Sequence, residues 1–300
     1  MKKLLPLLTA SLILFAASAQ AQTALSLPAT DAALELDVRE AAARIGLSEA
    51  LRQGRLSVSL MDLSRPGEPR YAGLNDHNMM YAASLPKIAI LLAGMEQVRA
   101  GELAYTPELR GMFTRLARFS SNRDASAAIQ RIGFDNIART LESPRYRLYD
   151  RSHGGGLWLG KGYGGPNDRW RRDPLAKLSH AASAAQTARF FWMMEQGKLV
   201  DPAASAEIKR FLSDPAIRHK FVLGLAGRPD HAIYRKSGTW RRWHSDAVLV
   251  ESGDKKYIAV ALMEDERGGE ALPRLIRELD DLICKQASSS TAKPHAHGAD

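Results

Sequence analysis

The chain has 300 residues, 45% hydrophobic and 25% charged, which suits one large domain or two interleaved lobes. It is too polar for a multi-span membrane protein and too apolar for a disordered one. Its single cysteine, Cys284, excludes an intramolecular disulfide framework and a cysteine-based zinc site, while a formal charge of +9 leaves nucleic acid, anionic lipid and acidic polymers open as partners.

The N-terminus narrows that choice. Lys2 and Lys3 precede an apolar stretch, Leu4 to Ala17, and Ala19-Gln20-Ala21 supplies the small-x-small pattern of a signal-peptidase site. Residues 1–21 therefore read as a secretory signal, too short for a span, with a mature chain starting near Gln22. The expected location is secreted or periplasmic. Export favours a small-molecule or peptidoglycan-related substrate over nucleic acid. No stable membrane span is expected, and the chain is expected to be a monomer.

Asp31 is a candidate cap for a helix carrying Leu34, Val38, Ala41, Ala42 and Ile45. Leu56, Val58 and Leu60 alternate with Ser57, Ser59 and Met61, a period of two that predicts a strand. Ser64-Arg65-Pro66-Gly67 is a turn to a second strand near 69–72. Residues 84–99 are apolar almost all round and predict a buried central helix. Further helices are expected at about 107–119, 123–140, 181–197 and 203–213, and seven glycines within 154–165 predict a long loop. Three strands follow at 233–240, 245–251 and 257–263, then an amphipathic helix through Leu272, Leu275, Ile276, Leu279 and Ile283. The order predicts an α+β fold: an antiparallel sheet built from both ends of the chain (about 32–75 and 230–285) and flanked by terminal helices, with an all-helical lobe (about 84–228) inserted. The domain spans 22–286, residues 287–300 read as a disordered tail, and the site is expected in the crevice between the lobes.

Three short motifs carry chemistry. In Ser84-Leu85-Pro86-Lys87 the serine starts the buried helix and the lysine follows one turn on. A serine hydroxyl becomes nucleophilic when a base takes its proton, and a lysine in a poorly solvated cleft can be that base. Alone this pattern is weak: Ser252-Gly253-Asp254-Lys255 matches it inside a hairpin turn. Ser120-Ser121-Asn122 joins two predicted helices; its hydroxyl could relay a proton and its amide could hold both substrate and Lys87. In isolation helix capping explains it equally well. Lys236-Ser237-Gly238-Thr239 puts a lysine and a glycine in mid-strand, where glycine permits close backbone approach and Lys236 adds a cation that attracts a carboxylate and depresses the Lys87 pKa. The plain alternative is an edge strand blunted by charge.

In that order the three motifs resemble the penicillin-recognising serine hydrolases, most closely the class A β-lactamase fold, over roughly residues 32–284. The resemblance implies a β-lactamase/transpeptidase-like architecture and an acyl-enzyme on Ser84, with no metal and no cofactor. Lys87 would be the base, Ser120 the proton shuttle and Asn122 a substrate ligand. Lys236, Ser237, Gly238 and Thr239 would bind the substrate, and the Ser84 and Thr239 N–H groups would form the oxyanion hole. The implied substrate is a β-lactam, or a D-alanyl peptide or ester for a D,D-peptidase or esterase; a penicillin-binding sensor without catalysis is the other class. Two departures stand out. The segment from Ser84 to Ser120 is short for that family, and no glutamate lies between Glu142 and Glu195, where class A enzymes carry the residue that activates the deacylating water. Asp168 is the candidate substitute base, and Asp173, followed by Pro174, is expected to bridge to an arginine. The glycines of this loop are expected to leave it poorly preorganised, so deacylation is expected to be slow.

Other signals are set aside. Gly160–Gly165 matches G-x-G-x-x-G but opens no helix. His153-Gly154-Gly155-Gly156 resembles an esterase oxyanion loop, but the chain has no G-x-S-x-G elbow. His180, His219 and His231 are expected at helix ends or on the surface. Trp240-Arg241-Arg242-Trp243-His244 is either part of the cleft rim or a basic hairpin.

Overall fold

The computed structural model describes residues 25–165 and 168–285. The signal expected at 1–21 and the tail expected at 287–300 lie outside the described residues.

Helix α1 (Ala32–Arg44) is capped by Asp31, whose carboxylate accepts from the Leu34 N–H at 3.0 Å. A short α2 (Ser48–Arg52) leads into the hairpin β1 (Leu56–Asp62) and β2 (Arg70–Leu74). After β3 (Met80–Tyr81) come α3 (Lys87–Arg99), α4 (Pro107–Arg118), α5 (Asn122–Ile132) and α6 (Phe134–Glu142). The helix expected at 123–140 is thus two helices. Gly133, at φ 87°, ends one and starts the next, a backbone conformation that a residue with a Cβ adopts only under strain.

A short β4 (Tyr149–Asp150) precedes the expected long loop, which itself contains β5 (Gly155–Gly156) and β6 (Trp158–Leu159), with β7 (His180–Ala182) after it. Then follow α7 (Ala184–Glu195), α8 (Pro202–Leu212), α9 (Phe221–Gly224), β8 (Ala232–Trp240), β9 (Trp243–Ser252), β10 (Lys255–Glu264) and α10 (Gly268–Cys284). The main sheet has five antiparallel strands in the order β2-β1-β10-β9-β8. Both ends of the chain build it, as the sequence pattern predicts, and β8 is an edge.

Apolar layers cover both faces of the sheet. Val58, Leu60, Val248 and Val250 pack with Leu34 and Val38 of α1 and Leu272, Ile276 and Leu279 of α10. On the other face Met61, Leu249, Val260 and Leu262 join Phe190 and Phe191 of α7 and the core of α3–α6. The alternation in β1 therefore does not separate core from solvent. Ser57 and Ser59 are as buried as Leu56, Val58 and Leu60, because α7 covers their face, and the Ser59 hydroxyl is satisfied by Tyr71 Oη at 2.9 Å.

Behind β8 lies a buried ion pair. Arg235 Nε and Nη2 each donate to Asp246 at 2.7 Å, and Asp246 also accepts from the Phe221 N–H at 3.1 Å. Arg235 reaches the carbonyls of Ile217 and His219 as well, tying that segment to the sheet. Removing one member of such a pair leaves an uncompensated buried charge. Asp246→Ala is therefore expected to lose about 3–5 kcal/mol of stability in urea unfolding. A loss under about 1 kcal/mol would show that water or backbone carbonyls suffice for Arg235.

Candidate active site

Ser84 stands in a tight turn rather than as the helix N-cap. Leu85 N–H donates to the Ala82 carbonyl at 3.0 Å and Lys87 N–H to the Ser84 carbonyl at 3.3 Å, and regular α3 begins only at Lys87, after Pro86. Ala83 takes φ 49° to enter this turn. Leu85 and Ile88 anchor it in the core, and Ser84 is left half-buried facing a cleft. Its hydroxyl makes no hydrogen bond among the described residues.

Lys87 is fully buried. Its ammonium donates to the Ser120 carbonyl at 2.6 Å and to Asn122 Oδ1 at 2.8 Å, with Ser120 Oγ at 3.5 Å. Ser120 can offer both oxygens because it sits at φ 54°, a strained conformation between α4 and α5. Burial pushes the Lys87 pKa down to about 7, within reach of a neutral amine at physiological pH.

Lys236 comes from the opposite wall. Its ammonium donates to Ser120 Oγ and to the Ser237 carbonyl, both at 2.8 Å. Ser120 thus joins the two lysines. Burial and then the Lys87 charge drive the Lys236 pKa well below its ordinary value. Gly238 brings β8 against the nucleophile turn: a Cβ here would collide with the Ala82 carbonyl and lie 2.6 Å from Ser84 N. Thr239, the next residue, is exposed and lines the cleft, whereas Ser237 is buried beside Lys236 and does not.

The paired lysines set a pH signature. If neutral Lys87 is the base, acylation rises with pH through about 7, as its proton leaves. Burial alone, and not the Lys236 charge expected from the sequence, lowers the Lys87 pKa, so Lys236→Ala is expected to slow acylation with the limb left in place, and Lys236→Arg to retain more activity than Lys236→Ala. Second-order acylation rates from pH 5 to 9 check this, and a displaced limb in Lys236→Ala would make Lys236 a charge that tunes Lys87.

The glycine-rich loop is pinned, contrary to the sequence expectation. Gly160 N–H donates to the Ser179 carbonyl at 2.7 Å, Trp170 N–H to the Gly160 carbonyl at 3.0 Å, and Gly162 N–H to the Asp168 carbonyl at 2.7 Å. Asp168 Oδ2 accepts from the Gly164 N–H at 2.8 Å, so this carboxylate braces the loop; it is not among the residues that line the cleft. Asp173 does not bridge to an arginine. It accepts from the Leu175 and Ala176 N–H groups at 3.0 and 2.8 Å and from the Leu178 N–H, closing a turn, because the backbone donors after Pro174 reach it first.

Tyr163 is the loop residue that meets the site, and sequence reasoning passed over it. Its ring lies 4.2 Å from Lys87 Nζ and stacks on His180 at 4.5 Å, and its hydroxyl donates to the Ala83 carbonyl at 3.2 Å. His180 is accordingly a buried strand residue, not a surface one, and burial lowers its pKa to about 4. His231 is also enclosed, paired with buried Asp280 at 2.8 Å. Lys220 was missed as well: buried at φ 51°, it donates to the Gly238 carbonyl at 2.5 Å and the Ser245 carbonyl at 3.1 Å, bracing β8 from behind.

The cleft has a volume of about 700 Å³, within the usual range for a small-molecule site. Tyr81, Tyr163, His180 and Trp243 give it an aromatic wall, and Lys161, Arg241 and Arg242 a basic rim; no acidic side chain is among its lining residues. His244 does not share in it. It is buried against Gly268 at the start of α10, since the β9 alternation turns it inward.

Comparison with known proteins bears on the family and the fold. A model of the beta-lactamase enzyme family matches residues 38–112 and 113–287. A search of curated protein sequences finds no match. Among solved structures, a beta-lactamase from Xanthomonas campestris pv. campestris superposes with a TM-score of 0.65 at 17% identity, covering 82% of this chain and 98% of that one. A beta-lactamase from Sphaerobacter thermophilus gives 0.64 at 14% identity, covering 81% and 96%. PBP-A gives 0.62 at 16% identity, covering 86% and 98%. At such identities the structures show a shared fold, and the family model, which spans most of the sequence, shows descent: this chain belongs to the beta-lactamase enzyme family.

Proposed function

We propose that the protein is an exported serine acyl-transfer enzyme in which Ser84 attacks a β-lactam carbonyl and holds an acyl-enzyme, with slow release to water. The observation that carries this is Ser120, whose oxygens meet Lys87 on one side and Lys236 on the other. In this reading Lys87 takes the Ser84 proton, Ser120 passes it to the leaving nitrogen, and Lys236 with Thr239 receives the substrate carboxylate. The Ser84 N–H, which has no acceptor among the described residues, and the Thr239 N–H stabilise the oxyanion. The signal expected at 1–21 supplies the export.

A D,D-peptidase or esterase acting on D-alanyl substrates would use the same groups. Slow deacylation is favoured over fast hydrolysis because the loop carboxylates Asp168 and Asp173 are engaged by backbone N–H groups and are not among the residues that line the cleft. Incubation with a fluorescent penicillin tests the scheme. A persistent covalent band that mass spectrometry places on the Ser84 peptide is the expected result. Rapid nitrocefin turnover without a band would make the protein an efficient β-lactamase, and label surviving in Ser84→Ala would refute the nucleophile. Neither band nor turnover would leave a binding module.

A further inference from the structure

The base that would activate Ser84 has one more neighbour than the acylation scheme needs. Lys87 Nζ spends two donor directions on the Ser120 carbonyl and Asn122 Oδ1, and the Tyr163 ring covers a further side at 4.2 Å. That ring is fixed from several directions. It stacks on His180 with an interplanar angle of 25°, its hydroxyl donates to the Ala83 carbonyl, and its own N–H donates to Ser126 Oγ at 2.9 Å. His180 is in turn held by the Lys161 carbonyl at 3.0 Å and the Tyr81 edge at 6.1 Å. A ring so braced does not swing aside easily.

Hydrolysis of an ester on Ser84 needs a water near the ester carbon and a base to take its proton. The bond formed is from water oxygen to acyl carbon, and the bond broken is from that carbon to Ser84 Oγ. The proton lost by the water ends on Ser84 Oγ. Neutral Lys87 is a base beside Ser84 that could mediate that transfer, since the loop carboxylates are engaged elsewhere. We propose that Tyr163 is a positioning residue that keeps water off Lys87, and so protects the acyl-enzyme from hydrolysis while leaving Lys87 free to serve acylation. The aromatic ring does this. The hydroxyl, which already donates to Ala83, only steadies it.

This inference rests on acylation at Ser84, and the experiment separates the two. The mature chain is labelled with a fluorescent penicillin, chased with excess unlabelled penicillin G, and the loss of covalent label is timed. Tyr163→Ala is expected to shorten the label lifetime at least about tenfold, read as the decay of label already in place and therefore independently of its acylation rate, and Tyr163→Phe to keep the wild-type lifetime. In Tyr163→Ala the deacylation rate should also rise with pH as Lys87 loses its proton. A wild-type lifetime in Tyr163→Ala overturns the proposal, as does a Tyr163→Phe lifetime as short as that of Ala, or fast decay that is flat with pH. Should Tyr163→Ala not fold, Tyr163→Val gives the same comparison, and an unshortened lifetime there is equally adverse. A wild-type chain that takes no label refutes acylation itself.

Discussion

Lys87→Ala slows acylation of Ser84 by about 10²–10⁴-fold, the span that a positioned general base contributes. Ser84 is a weak nucleophile as it stands, with an unbonded hydroxyl in a rigid turn, and the group that can take its proton must be basic yet unprotonated. Lys87 meets both demands because burial holds its pKa at about 7. Lysine is ordinarily charged at neutral pH, so the same side chain in solvent would be useless as a base. The variant should keep its fold: what is lost is a desolvated amine, together with its hydrogen bonds to the Ser120 carbonyl and to Asn122, a residue that lines the cleft. Labelling rates beside a melting curve check this. Acylation within tenfold of wild type, with the fold intact, would pass the base role to another group.

Gly238→Ala is expected to lower acylation by about 10²-fold while leaving binding of the chain's other surfaces alone, because small misplacements of reacting groups carry costs of that order. The added methyl collides with backbone, the Ala82 carbonyl and Ser84 N, and with Ser245 Oγ at 2.8 Å. Only one of these three can rotate away. Either β8 or the Ser84 turn must move, and Lys220 holds the Gly238 carbonyl from the far side. The gap between the nucleophile and Thr239 then widens. A variant that acylates at the wild-type rate would mean that the two walls are not held in register at this glycine.

Much of this was legible in the residues. The three motifs lie far apart in sequence, and the structure brings Lys87, Ser120, Asn122 and Lys236 into one hydrogen-bonded cluster. Their legibility comes from residue types that resist a packing explanation, such as a lysine in an apolar helix and a glycine in mid-strand. The alternation of β1 marked the strand correctly, yet a period of two records two faces and says nothing of what covers the second. The break at Gly133 was missed because apolar periodicity continues across it, from Ile129 and Ile132 to Ile137 and Leu141. Tyr163 was hidden for a different reason. A loop read by its glycines yields flexibility, whereas its order here comes from hydrogen bonds to Ser179, Asp168 and Ser126 that are distant or unpatterned in sequence.

Three lysines, Lys87, Lys220 and Lys236, are buried around one strand and one turn, and burial depresses the pKa of each. Such a cluster works against folding, since the charged forms have given up water without a full complement of carboxylates. The unliganded protein is therefore under electrostatic tension where it is meant to react. An anion entering the cleft relieves that tension, so part of its binding energy returns as conformational stability of the whole chain. The cleft and the fold are thermodynamically linked: whatever negatively charged compound the site accepts will also raise the temperature at which the protein melts.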